Sequence, residues 1–108
     1  MITFSIGTYE VMAFAGKNQV IRIYMNDDSN RYRGYIHFII NYAGVQNFIV
    51  HPNGIINAFM SFDKLHPILD ILRHEKPVYF SVNEQYNWAA LKTGVEPTGE
   101  EEHSGTNV

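Results

Sequence analysis

Phe62-Asp63-Lys64-Leu65-His66-Pro67-Ile68-Leu69-Asp70-Ile71-Leu72-Arg73-His74-Glu75 places apolar side chains at 62, 65, 68, 69 and 72, a single stripe at helical spacing. Elsewhere the 108-residue chain is built from short Val, Ile, Phe and Tyr runs broken by turn residues, the punctuation of strands. One amphipathic helix among strands predicts an α+β fold in which the helix lays its stripe on one face of a sheet. Ser61 or Asp63 is placed to cap the first turn. Pro67 disfavours helical geometry in the residue before it, so the first regular turn is expected at Pro67, and Lys76-Pro77 ends the segment.

Working outward, Val78–Asn83 alternates as a strand and Trp88–Thr93 reads as the last one. On the N-terminal side the candidates are Thr3–Tyr9 and Val11–Ala15, with a break near Gly7 or Glu10, then Val20–Met25 after a hairpin turn at Gly16-Lys17-Asn18. Asn26-Asp27-Asp28-Ser29-Asn30 is a loop, since all five residues favour turns or cap their own backbone. Tyr35–Tyr42 is the longest strand. Phe48–His51 and Ile55–Met60 flank the tight turn Pro52-Asn53-Gly54. Short turns between consecutive strands predict an antiparallel meander of about six or seven strands with one helix packed on one face.

Alternation divides each strand into two sets. Ile36, Phe38, Ile40 and Tyr42, with Ile21, Ile23, Met25, Val78, Phe80 and Val82, form the apolar set expected beneath the helix. The opposite set, Arg22, Tyr24, Tyr35, His37, Tyr79, Ser81 and Asn83, combines tyrosines with an arginine and a histidine. Tyrosine rings gain from burial while their hydroxyls need polar partners, and Tyr and Arg are enriched at contact surfaces. This set is the candidate binding face. The competing reading is a solvated sheet face on which tyrosine satisfies strand preference.

Other motifs suggest other chemistry. Arg31, Tyr32 and Arg33 interleave cations with a ring, as phosphate contacts and base stacking in a single-stranded nucleic acid site require. His66, Asp70 and His74 recur every four residues along one helical face, the spacing at which imidazole and carboxylate can share a metal, although the expected state of that face is simple exposure. His37 and His51 have the chemistry for proton transfer, but no Ser-His-Asp set or carboxylate pair accompanies them, and no glycine-rich phosphate loop is present. Trp88 reads as a core plug or as an anchor at an interface.

Composition narrows the classes. The chain has 45% hydrophobic residues and no cysteine, which excludes thiol nucleophiles, disulfide frameworks and thiolate metal sites. Its net charge of −3 is unevenly spread: residues 1–95 hold eight Lys and Arg against seven Asp and Glu, a net +1, while 96–108 hold four Glu and no base. A nearly neutral body lacks the positive field of a duplex-DNA binder and repels its own copies weakly. Residues 1–95 are expected to form one globular domain and 96–108 an acidic flexible tail.

Without an export signal or a membrane-length apolar run, the chain is expected to be cytoplasmic and free of the membrane. The leading expectation is a non-enzymatic protein-interaction or self-association module, working as a homodimer or with a protein partner and without a cofactor. The alternatives are a single-stranded nucleic acid binder and a small-ligand or metal-binding domain.

Overall fold

The structure is a computed structural model, and it describes residues 1–16, 20–43 and 46–95. The expected tail 96–108 and most of the Gly16-Lys17-Asn18 turn lie outside the described residues. Seven strands appear in chain order: β1 (Ile2–Ala13), β2 (Ile21–Asp27), β3 (Tyr32–Ile39), β4 (Phe48–Val50), β5 (Ile56–Ser61), β6 (Val78–Asn83) and β7 (Trp88–Thr93). A short 3₁₀ turn, Phe62–Lys64, leads into the helix α1 (Leu65–His74) between β5 and β6. The α+β class and the strand number agree with the sequence reading.

The topology corrects the meander. Strand order is β4-β5-β3-β2-β1-β6-β7, and β5 runs parallel to β3, so the sheet is mixed. After β3 the chain passes to the outer edge for β4 and returns through β5. Burial accounts for the choice: β5 brings Ile56 and Ala58, both fully buried, into the sheet interior, while the three-residue β4 takes the edge, where short strands are tolerated. Alternation reads the same for either order, so it cannot distinguish them. Gly34 permits the close approach of β3 to β5: its φ is +134°, and a Cβ there would lie 1.8 Å from the Ile56 carbonyl oxygen.

β1 is one strand, with no break at Gly7 or Glu10. Its register against β2 shifts between Ile6 and Thr8, and a Cβ on Gly7 would sit 2.6 Å from the Asp27 carbonyl oxygen, so this glycine allows a bulge. Along its length β1 serves two neighbours, with Ile2–Ser5 paired to β6 and Ile6–Ala13 to β2. β3 ends at Ile39, earlier than expected. Asn41 has φ +59°, and Ile40 is 62% exposed, outside the core assigned to it from sequence.

The helix starts at Leu65, two residues before Pro67, which therefore sits in the first turn, where its missing N–H had no helical acceptor to lose. Neither Ser61, heading the 3₁₀ turn, nor Lys64, heading α1, makes a side-chain capping bond. Leu65, Ile68 and Leu69 are buried and Leu72 packs beside them, while Phe62 stays exposed. They meet Phe4, Ile23, Met25, Ile36, Phe38, Phe80 and Val82 from the inner face of the sheet in one core.

A flat seven-stranded sheet would hold its edges roughly 29 Å apart. Here Asn47, just before β4, donates from Nδ2 to the Asn87 carbonyl, just before β7, at 3.0 Å. The sheet is thus curled into a half-barrel around α1, with its two edges meeting at one end.

Candidate functional site

Among the described residues no element packs over the outer, convex face of β2, β3 and β5. Cross-strand pairing sets Arg22 opposite His37 and Tyr24 opposite Tyr35, and the parallel pair adds Asn57 beside Tyr35 and Phe59 beside His37. Arg22 is at the centre. Its Nε donates to His37 Nδ1 at 2.9 Å, its guanidinium lies over the Tyr35 ring at 4.4 Å and near the Phe14 ring at 5.6 Å, and one terminal nitrogen reaches the Tyr24 hydroxyl at 3.4 Å. Ring contacts continue outward: Tyr24 with Tyr35 at 5.7 Å, Tyr24 with Tyr32 at 6.3 Å, Tyr35 with His37 at 6.4 Å, and His37 with Phe59 at 5.9 Å. Edge-to-face and tilted geometries of this kind set ring hydrogens against ring faces.

Electrostatics fix the protonation states. Burial and then the Arg22 charge push the His37 pKa below its ordinary value, so the ring is neutral at neutral pH. Its Nδ1 accepts from Arg22, which leaves Nε2 carrying the proton. Burial, then Tyr24 and Tyr35, raise the Tyr32 pKa, and its phenol remains a donor. The result is a stacked, half-exposed surface on which the Arg22 cation and phenolic hydroxyls lie beside the exposed Glu10 carboxylate, set opposite Tyr24.

Four members of the sequence-derived face, Arg22, Tyr24, Tyr35 and His37, are therefore brought together. Tyr79, Ser81 and Asn83 are not. They lie on β6, beyond β1, and because Ser5 faces Tyr79 while Glu10 faces Tyr24, the two groups are roughly 15–20 Å apart. Ser81 is fully buried and shares a hydrogen bond of 2.8 Å with Thr3. Alternation placed these residues on one side of the sheet; they are separated along it because β6 and β2 pair with opposite ends of β1. Phe14, Asn57 and Phe59, absent from the sequence-derived set, have the right alternation, but their membership depends on strand order.

Arg31, Tyr32 and Arg33 are divided as well. The register shift at the end of β2 sends Tyr32 to the outer face, while Arg33 stacks on the ring of core Phe4 at 4.4 Å and reaches Asp27 at 3.3 Å. Arg31 lies 3.7 Å from the same carboxylate. Asp27, expected in a loop, ends β2 and organises the turn: its Oδ1 accepts from the Ser29 and Arg31 amides. Those amide bonds and Arg33 hold its pKa below the ordinary carboxylate value, against the opposing effect of burial. On the outer face Arg22 is left as the arginine available to a nucleic acid.

On the helix, His74 Nε2 and Asp70 Oδ1 are 3.6 Å apart as an exposed i,i+4 pair, with His66 exposed a turn earlier. Among the described residues no three His, Asp or Glu side chains gather as a metal-binding set. His51 hydrogen-bonds Asn57 through Nε2. It also lines, with Tyr32, Pro52, Asn53 and Ile55, a shallow groove that continues from the aromatic face.

No described helix is long and apolar enough to cross a membrane. Comparison with known families, curated proteins and solved structures finds no match to this chain.

Proposed function

We propose that this domain is a protein-interaction module without catalytic activity and that it associates through the outer aromatic face, the first partner being a second copy of the chain. The observation that carries the reading is the unbroken chain of contacts Phe14–Arg22–Tyr35–His37–Phe59, with Tyr24 and Tyr32 alongside, on the sheet face opposite α1. Half-buried rings held in place by one another lose little side-chain freedom on binding. Aromatic and arginine anchors are the types that dominate contact energies.

Charge favours a second copy as the partner. Glu10 lies opposite Tyr24 on the same face and has no cationic partner among the described residues, while Arg22 is two positions along the neighbouring strand. A twofold arrangement can set Glu10 of each copy against Arg22 of the other, with ring edges meeting ring faces across the axis. The near-neutral body adds little repulsion.

Native mass spectrometry of the full chain, checked by sedimentation over a concentration series, tests this. The unaltered chain is expected to form dimers, and Tyr24→Ser with Tyr35→Ser to weaken them at least tenfold. Glu10→Arg is expected to weaken them too. A chain that is monomeric throughout the series, or a dimer indifferent to all three changes, would refute the reading.

A further inference from the structure

The half-barrel leaves a seam on its concave side. The edges meet where Asn47 bonds the Asn87 carbonyl and Tyr42 bonds Asn47, but beyond that clasp they separate and α1 lies between them. The gap is a cleft of about 430 Å³, within the size range of small-molecule sites, which favour the mouths of barrels. Its walls are apolar, from Met60 at the end of β5, Ile68 and Ile71 on α1, and Trp88 and Leu91 on β7. Lys64, at the start of α1, is the cation at its rim and has no acidic partner among the described residues.

We infer that this seam binds a medium-chain monocarboxylate, with the alkyl chain along Met60, Ile68, Ile71, Trp88 and Leu91 and the carboxylate at Lys64. The apolar walls remove an alkyl chain from water, and the lone ammonium selects an anionic end over a neutral or cationic one. Ile71 and Leu91 are only partly buried and Trp88 is 37% exposed, so the cleft retains apolar surface for a ligand to cover. The cleft shares Phe59 with the outer aromatic face at the β5 edge, but Arg22, Tyr24 and Tyr35 do not line it.

Trp88 is the chain's one tryptophan and reports on the site directly. Titration of the full chain with decanoate, kept below its micelle concentration, is expected to give a saturable blue shift of emission. Affinity is expected to rise from octanoate to dodecanoate by up to about fourfold per added CH₂. Lys64→Gln, a change at an exposed position, is expected to weaken decanoate about tenfold while leaving decanol binding unchanged. Ala89→Phe, which fills the cleft from β7, is expected to abolish the saturable shift. Absence of a saturable shift, undiminished decanoate binding by Lys64→Gln, or unchanged binding by Ala89→Phe would overturn the assignment. Tyr24→Ser with Tyr35→Ser is expected to leave decanoate binding intact, so failure here and failure of the association reading are distinguishable.

Discussion

The same strands, β2 and β3, present two unlike faces. Inward, Ile23, Met25, Ile36 and Phe38 are buried under α1 and identified by shape and volume alone. Outward, on the alternating positions between them, Arg22, Tyr24, Tyr35 and His37 hold one another by stacking and hydrogen bonds and remain half open to water. One face is complete within the chain, whereas the other is ordered but uncovered among the described residues. A sheet face that is structured without being buried is what the proposed association surface requires.

The sharpest way to break the contrast is on the inner side. Phe38→Ala is expected to cost about 3–5 kcal/mol of stability, measured by denaturant unfolding, because it opens a cavity beneath the helix. Gly34→Ala should do at least comparable damage, since the new Cβ would collide with the Ile56 backbone and part β3 from β5. Asp27→Asn comes next, removing the carboxylate that ties the Ser29 and Arg31 amides to Arg33. Folding lowers the Asp27 pKa, so its stabilisation is full above the unfolded value of about 4 and is lost as pH falls through the folded one. The variant is expected to lose that share of the acid limb in a pH series of melting temperatures.

On the outer side effects on stability shrink. Tyr35→Ser is expected to cost about 1–2 kcal/mol, as a half-buried ring and its Arg22 contact are lost, while association falls much further. His37 gives a pH handle. Folding lowers its pKa, so its share of stability is present above about pH 6.5 and declines as pH drops from there toward the folded value. An NMR titration of the ring should show a midpoint below the ordinary one, and His37→Gln should flatten that part of the stability profile. Smallest is His74→Ala on the helix, where an exposed pair with Asp70 predicts a change within about 0.5 kcal/mol.

Much of this contrast was legible in the sequence, because period and alternation are local properties. β6 and β7 fall on the residues expected, and Leu65, Ile68 and Leu69 carry the stripe. Strand order was not legible, since β5 lies beside β3 through a non-local choice that leaves alternation unchanged. The candidate face was half readable for the same reason: Arg22, Tyr24, Tyr35 and His37 sit on strands that pair directly, whereas Tyr79 and Asn83 lie on β6, which pairs with the other end of β1. The bulge depends on Gly7, whose residue type suggests a special backbone without saying whether the strand bends or breaks. Arg33 turns inward at a register shift between the loop and β3, a detail of pairing that local residue types do not reveal.

The claim that the outer face is an association surface is tested most directly by amide chemical shifts recorded while the full chain is diluted. The account predicts concentration-dependent shifts centred on Glu10, Arg22, Tyr24, Tyr32, Tyr35, His37 and Phe59, with Leu65–His74 unmoved. Shifts confined to the helix or to β7, or a spectrum independent of concentration across the outer face, would contradict it.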